Sequence, residues 1–346
     1  MQTVASEIRG TGMCVPERVV SNEHFAAYLE TSDEWIRERT GIEQRRWCEK
    51  GTSASALAEP ACREAISAAG LTVNDIDGIV LGTVTPDNIF PSTACYLQAR
   101  LGITNGFAFD VNAVCSGFIY ALTTADALIR SGQGTNVLVV GVDLYSGIID
   151  PNDRGTCVLF GDGAGAVVLS RKQGESLVDG AFGDHLAQGD VRSISGIYGS
   201  ELKADGRFAD LLCVPMGTAN PPTPDSLKRG DHFLQMQGRE VFKFAVRSLA
   251  DVTKSVLDRA GVSVEEVDLF ISHQANKRIL LSMAKHLGIP EEKVPINVDR
   301  YGNTSAATIP IVLAECEREG RIKKGDLLLL SAVGGGFSWG AVLVRW

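Results

Sequence analysis

The chain has 346 residues, 45% hydrophobic and 22% charged, and its 42 acidic against 33 basic side chains leave a formal net charge of −9. That length allows two domains of roughly 150 residues each, or one large unit with a substantial core. The acidic balance, with no block of like charges, argues against nucleic acid or an anionic membrane surface as the main partner.

The opening stretch up to Val20 lacks the continuous apolar run of a signal peptide, and no apolar run reaches the length of a membrane span. Eight cysteines are scattered without a C-x-x-C pair or zinc-site spacing, as expected of reduced thiols and no metal. A cytoplasmic protein is therefore expected. Helical spacing of apolar residues predicts helices over 52–69, 93–101, 116–131, 240–260, 276–287 and 305–319. Short β-branched and Leu-rich runs at 79–81, 107–111, 137–142, 164–169, 269–272, 327–333 and 341–344 read as buried strands. The alternation is that of an α/β protein.

An internal repeat is also visible. Ala69-Gly70-Leu71-Thr72-Val73 is echoed by Ala260-Gly261-Val262-Ser263-Val264, each copy lying between a helix and a strand. Leu101-Gly102-Ile103 is matched by Leu287-Gly288-Ile289, leading to a strand at Asp110-Val111 in one copy and Val298-Asp299 in the other. Arg130-Ser131-Gly132 is matched by Arg318-Glu319-Gly320, again before a strand. Three matches in one order at nearly one offset indicate a duplication, with halves 1–172 and 173–346. The Gly-, Asp- and Pro-rich segment 180–239 stands outside the repeat as an insertion suited to covering a site.

Three residues stand out chemically. Cys115 follows the strand 107–111 and opens a helix, where the macrodipole and free N–H groups are expected to favour thiolate. Buried cysteines are more often small hydrophobes, so context must support a nucleophile. His273 ends the strand 269–272, on the edge where α/β folds bind ligands, and Asn303 opens a helix, where an ordinary N-cap is the plain alternative. Cys115 and Asn303 fall in equivalent strand-to-helix turns of the two halves, so a pseudo-twofold would bring them to one seam. A cysteine, a histidine and an asparagine around one point suit acyl transfer.

The 37 glycines exceed the roughly 24 that average usage of about 7% would give. The run Gly161-Asp162-Gly163-Ala164-Gly165 lacks G-x-G-x-x-G spacing and precedes a strand, which makes a dinucleotide site a poor reading. Gly334-Gly335-Gly336 follows the strand 327–333 and offers either a tight turn or a backbone N–H aimed at an oxyanion.

Taken together, Thr31–Ile36, Arg39–Ile42, Phe90–Cys95, the Cys115 segment, Asp153–Thr156, Phe160–Ala166, Glu240–Lys243, His273–Asn276, Gly302–Ala307 and Gly334–Gly340 resemble the β-ketoacyl-ACP synthases III of the thiolase superfamily. The resemblance implies a five-layered αβαβα thiolase-like fold from two duplicated halves. It implies that an acyl-CoA acylates Cys115, and that malonyl-ACP then decarboxylates and attacks the thioester to give a β-ketoacyl-ACP. No permanently bound cofactor is implied; acyl-CoA and malonyl-ACP are substrates. His273 and Asn303 would hydrogen-bond the malonyl thioester, with the N–H groups of Cys115 and Gly335 at the acyl oxyanion. Trp35 and Arg154 would sandwich the CoA adenine, with Arg39 at its phosphates and Arg239 and Asn276 along the tunnel. In a homodimer, Phe90 would bound the partner's acyl pocket, alongside Val333. Lys243, Arg278 and Lys285 would form the face for the acidic carrier protein. The chain departs from the common family pattern at Arg239, where asparagine is usual, at His286, where a second lysine is common, and at Val333, where phenylalanine often stands.

Two other functions remain compatible with parts of the sequence. A related condensing enzyme or acyltransferase of secondary metabolism would use the same three residues with a different acceptor. A dinucleotide-binding oxidoreductase is suggested only by the α/β pattern and the glycine runs.

Overall fold

The computed structural model describes residues 6–172 and 195–346. The duplication boundary near 172 adjoins residues outside this set, as does the first part of the insertion at 180–239.

Two mixed sheets dominate the described residues. In the first, strands Ser6–Cys14, Asp162–Arg171, Asn136–Leu144, Gly78–Gly82 and Phe107–Val111 lie side by side in that order. In the second the order is Gly196–Ala204, Ser338–Arg345, Leu327–Gly334 and Leu269–Ser272. The sense of pairing repeats as well: Gly78–Gly82 runs parallel to Asn136–Leu144, as Leu269–Ser272 does to Leu327–Gly334, and the remaining shared pairs are antiparallel. Two sheets with one connection order are what a duplication would leave.

Period-two alternation within the strands explains the layering. Val137 and Val139 face a central core, whereas Leu138, Val140 and Val142 point to the opposite side of the same sheet. In the second sheet Leu328 and Leu330 share that central core, while Leu327 and Leu329 face away from it. The central layer consists of helices Gly117–Arg130 and Thr308–Arg318, through Phe118, Leu122, Ile309 and Leu313. Helices Ala54–Ala68 and Thr93–Leu101 cover the outer face of the first sheet, and Gly238–Ala260 and Lys277–Leu287 that of the second. The result is the expected α/β/α/β/α sandwich. Buried on both faces, the inner strands read as continuous apolar runs and are legible in the sequence, whereas the partly exposed edge strands Ser6–Cys14 and Gly196–Ala204 carry no such run and are missing from the sequence expectation.

Two sequence expectations are corrected. Val298-Asp299 is not a strand: Asn297 N–H donates to the Gln274 side chain, and Arg300 and Tyr301 N–H turn back to the Asn297 carbonyl, making a short helix Val298–Tyr301. The second sheet therefore lacks the counterpart of Phe107–Val111 among the described residues. The run 161–165 does not precede a strand but lies largely within it, since the strand starts at Asp162. Its glycines serve packing: a Cβ on Gly165 would sit 2.8 Å from the Ile311 nitrogen, so helix Thr308–Arg318 could not lie so close.

Candidate active site

The first sheet delivers Cys115. After strand Phe107–Val111 the chain makes a tight turn, Val114–Ser116, with Val114 in the left-handed region at φ 49°, and the helix starts at Gly117. The second half repeats this turn at Ser305–Ala307, where Ser305 has φ 51°, ahead of helix Thr308–Arg318. The two turns are equivalent, but by geometry Val114 corresponds to Ser305, so Cys115 matches Ala306 rather than Asn303. Backbone strain of this kind costs about 1–3 kcal/mol per residue and persists where surrounding packing holds it.

Ser305 ties the site together. Its hydroxyl lies 3.5 Å from Cys115 Sγ, and its N–H donates to Asn303 Oδ1 at 2.8 Å, which orients the amide so that Nδ2 is free for the cavity. His273 is held at the end of its strand by its N–H, which donates to the Ser331 carbonyl at 2.8 Å. Its Nδ1 lies 2.8 Å from the Thr308 hydroxyl, leaving Nε2 as the ring nitrogen for the cavity. Burial pushes the His273 pKa down to about 3, so the ring is neutral at ordinary pH.

The expectation of a lowered thiol pKa is reversed. Burial pushes the Cys115 thiol up to about 12; hydrogen bonds from Ser305, from its own backbone and from Tyr145 oppose this, while the nearby Asp143 carboxyl reinforces it. The Cys115 side chain is buried at the floor of the site, and desolvation of a thiolate there outweighs what the hydroxyls and a helix start supply. Asp143, itself buried and raised by desolvation, accepts from Val84 and Ala306 N–H and from Thr83, pinning the Ser305 turn to the first sheet.

Gly334 explains one of the glycine runs. Its backbone lies against the Cys115 turn so closely that a Cβ would stand 2.7 Å from Cys115 N and 2.8 Å from the Ala113 carbonyl oxygen. Below it, the hydroxyls of Ser116 and Ser338 meet at 2.8 Å and both reach the Ala113 carbonyl, joining the strand ends of the two halves.

A cavity of about 890 Å³ opens over these groups. Its lining includes Cys115, His273, Asn303 and Val333 at the bottom and Trp35, Arg39, Arg154, Arg239, Lys243, Asn276 and Arg278 along the walls and mouth. Arg39 and Arg154 both lie over the Trp35 ring, at 4.5 and 4.6 Å from its centroid. Asn276 is committed structurally: its Oδ1 caps helix Lys277–Leu287 at Arg278 N–H, and its Nδ2 donates to the Arg39 carbonyl at 2.9 Å. The lining holds five Arg or Lys residues and no carboxylate, a local basic patch on an acidic protein.

Three predicted residues do not line this cavity. Gly335 lies one residue beyond Gly334, Lys285 is exposed further along helix Lys277–Leu287, and Phe90 is 83% exposed beside Ile89, at 87%, on a loop before helix Thr93–Leu101. Sequence reasoning missed Ser305 and Thr308, which contact Cys115 and His273, Tyr145, which stacks on the cavity-lining Phe160, and the apolar wall of Leu212, Met236 and Phe242. Ser305 lay inside a quoted motif, whereas Tyr145 carried no local signal at the end of an apolar strand.

Comparison with known proteins settles the family. Profiles described as 3-oxoacyl-[acyl-carrier-protein] synthase III and as its C-terminal part match residues 109–185 and 257–346. A β-ketoacyl-[acyl-carrier-protein] synthase III of Chelativorans sp. (strain BNC1) is 50% identical over 343 residues, 99% of this chain and 100% of that protein. The chain belongs to the β-ketoacyl-ACP synthase III family. The synthase III of Brucella melitensis is 49% identical over the same span. Among solved structures, the 3-oxoacyl-ACP synthase III of Aquifex aeolicus superposes with a TM-score of 0.86 at 44% identity, covering 99% of this chain and 100% of that one. A priming β-ketosynthase of the R1128 polyketide pathway shares the architecture at 29% identity with a TM-score of 0.87. The chain thus has the thiolase-like fold of this synthase III family. Among the described residues no helix is long and apolar enough to cross a membrane, and no cluster of His, Cys, Asp or Glu is placed to hold a metal ion.

Proposed function

We propose that this synthase III starts fatty-acid synthesis by a two-step transfer at Cys115. In the first step Cys115 Sγ attacks the carbonyl of an acyl-CoA; the new S–C bond forms, the CoA sulfur leaves, and the thiol proton departs with it. In the second, malonyl-ACP loses CO2, the resulting enolate carbon attacks the acyl-enzyme carbonyl, and the C–Sγ bond breaks with its electron pair on sulfur, which takes up a proton from water to restore the thiol as β-ketoacyl-ACP leaves.

The observation that carries this reading is the cavity itself, which joins a buried Cys–His–Asn cluster at one end to five cations and an exposed tryptophan-bearing helix at the other. Acyl-CoA and an acylated phosphopantetheine arm are both long, anionic thioesters, and a tunnel with this gradient accepts either in turn. Trp35 and Arg154 flank the CoA adenine, Arg39 and Arg239 meet its phosphates, and Asn276 supports that wall. At the bottom, His273 and Asn303 Nδ2 bind the malonyl thioester carbonyl and its enolate. The N–H groups of Cys115 and Gly335 hold the oxyanion of the acyl carbonyl. Lys243, Arg278 and Lys285 form a basic rim for an acidic carrier protein, and its attraction is of the kind that speeds encounter. Exposed Ile89 and Phe90 fit a homodimer in which Phe90 bounds the partner's acyl pocket. The enzyme acts in the cytoplasm and holds no resident cofactor.

Fatty-acid initiation is favoured over a polyketide role by the 50% identity to a synthase III of the first kind, against 29% to the polyketide priming enzyme. The test is purified protein with an acyl-CoA panel and malonyl-ACP, followed by mass spectrometry of Cys115 and of the carrier protein. Acylated Cys115 and a ketoacyl-ACP are expected; neither appearing defeats the reading. Cys115→Ala abolishes both steps, whereas His273→Ala and Asn303→Ala slow decarboxylation more than acylation, and equal loss in all three contradicts the roles given.

A further inference from the structure

Arg45 is a fully buried arginine that the reaction above does not use. It sits in the short strand Gln44–Arg46, which pairs with Val19–Ser21. Among the described residues its guanidinium donates only to neutral oxygens. Nη1 donates to the Val20 carbonyl at 3.1 Å and to Asn22 Oδ1 at 2.9 Å, Nη2 donates to the Val158 carbonyl, and Nε has no partner. Its Cζ also lies 4.6 Å from the centroid of the Phe25 ring. Burial brings its pKa down to about 10, so the group is still a cation at neutral pH. A cation taken out of water without a carboxylate partner is among the costliest groups a fold can bury, and an apolar side chain of similar length would fill the space without that cost. The charge therefore needs a reason, and the segment it grips that lines the cavity is 158–160.

We propose that Arg45 is a positioning residue for Asn303, fixing through the Val158 carbonyl the stretch of backbone against which the asparagine is registered. That stretch runs as a strand does, with successive carbonyls turned to opposite sides. Those of Val158 and Phe160 accept from Arg45 Nη2 and from Trp47 Nε1, the latter at 3.1 Å, whereas that of Leu159 accepts the Asn303 N–H at 2.9 Å. Gly161 N–H closes the register by donating to the Asn303 carbonyl at 3.0 Å. Arg45 and Trp47 thus supply side-chain donors on the side where a sheet would supply a backbone ladder. Packing leaves little slack. A Cβ on Gly302, the residue before Asn303, would stand 2.9 Å from the Leu159 oxygen and 3.1 Å from Arg45 Cβ, and one on Gly161 would stand 3.2 Å from Arg45 Cβ. Ser305 N–H orients the Asn303 amide, and Arg45 holds the backbone that carries it. This proposal deepens the function given above and rests on Asn303 acting in the decarboxylation step.

The experiment compares wild type with Arg45→Met, which keeps an unbranched side chain and removes the donors, with Arg45→Lys, which keeps a charge and fewer donors, with Asn303→Ala and with the Arg45→Met, Asn303→Ala double variant. Amide hydrogen exchange, read by mass spectrometry on peptides spanning 158–163 and 299–305, needs no substrate and so separates the proposal from the functional reading beneath it. Exchange there is expected to quicken roughly tenfold or more in Arg45→Met and less in Arg45→Lys, with the strand Leu269–Ser272 unchanged. Decarboxylation of malonyl-ACP should slow about ten- to hundredfold, the order expected of a misplacement of about 1 Å, while single-turnover acetylation of Cys115 stays within about threefold. On the Asn303→Ala background Arg45→Met should add less than about twofold, because a residue that acts through another has nothing left to position. Arg45→Lys carries the same test should Arg45→Met not fold. Unchanged exchange in the two peptides overturns the proposal whatever the activities. So do effects that multiply in the double variant, or equal loss of both steps. A raised KM for acyl-CoA with decarboxylation intact overturns it too, since Arg45 would then act on the Trp35 helix through Asn22 and Asp33. If Asn303→Ala decarboxylates like wild type, the functional reading fails, and exchange alone decides whether Arg45 positions Asn303.

Discussion

Gly334→Ala tests whether the nucleophile's position depends on backbone packing between the two halves. An added Cβ would stand 2.7 Å from Cys115 N, 2.8 Å from the Ala113 oxygen and 3.0 Å from Ser116 N, all backbone atoms in a turn already strained at Val114. Ordinary Cβ contact begins at 3.4 Å, so the turn or the strand end must give by 3.4 − 2.7 = 0.7 Å. A misplacement of about 1 Å costs on the order of a hundredfold in rate, so a ten- to hundredfold loss of acylation is expected. Overpacking of this kind costs about 1–3 kcal/mol of stability. For a protein of this length, with an unfolding entropy of about 2.1 cal/mol/K per residue, that amounts to a fall in melting temperature of only a few degrees. Single-turnover acetylation of Cys115, read by mass spectrometry beside a thermal melt, gives both numbers. Gly165→Ala is the control, because its Cβ would meet Ile311 N at 2.8 Å, equally crowded but pressing on a helix rather than on the nucleophile's turn. It should lose comparable stability with a much smaller loss of acylation. Acylation within twofold of wild type in Gly334→Ala, or equal loss in both variants, would refute the reasoning.

The other predictions concern binding and pH. Trp35→Ala removes the ring that Arg39 and Arg154 now cover and should raise KM for acyl-CoA several-fold to about thirtyfold, the range of a cation–π contact. Its kcat should stay near wild type, and a fall in kcat at unchanged KM would place Trp35 elsewhere in the cycle. Lys243→Glu, with Lys243 exposed and its Nζ 3.0 Å from Glu240, should weaken the carrier-protein step and its salt dependence while leaving acetylation from acetyl-CoA intact. A matching loss in both steps would contradict a role at the carrier rim. His273 is held neutral by burial, its pKa falling from 6.5 to about 3, so it contributes stability above pH 6.5 that is lost as pH falls from there towards 3. Between pH 7 and pH 4 this amounts to about 3 kcal/mol. Urea unfolding of His273→Asn should show that much less acid destabilisation than wild type; parallel curves would disprove it.

The parts of this protein that sequence made legible are those whose chemistry is local and periodic. Strands such as Asn136–Leu144, apolar on both sides, announce a doubly covered sheet wherever they occur. Helix Ala54–Ala68 shows its buried face through regularly spaced Ala58, Ala61, Cys62 and Ala65. The repeat pointed to two similar sheets because Gly70 and Gly261, each with positive φ, close helices that precede equivalent strands. At Val298-Asp299 the same reasoning failed, since the buried Gln274 side chain, 23 residues away in sequence, captures the Asn297 N–H that starts the short helix.

Cys115, His273 and Asn303 were readable because each sits in a motif at a strand or helix end, and the cations around Trp35 because a net charge of −9 makes any basic lining conspicuous. What the sequence by itself determined was therefore the class of fold, three side chains that meet in one cavity and the sign of charge in its lining. Tertiary structure alone decided how those side chains behave. The protonation of the thiol depends on how completely the sulfur is enclosed, and the helix start that would favour thiolate in water is outweighed by desolvation. The role of Ser305 as a hub arises from a segment 190 residues from Cys115, brought there by packing two sheets on one pair of helices. Distances across that seam are set by the fit of Gly334 against a strained turn, and no pattern of neighbouring residues encodes such a distance.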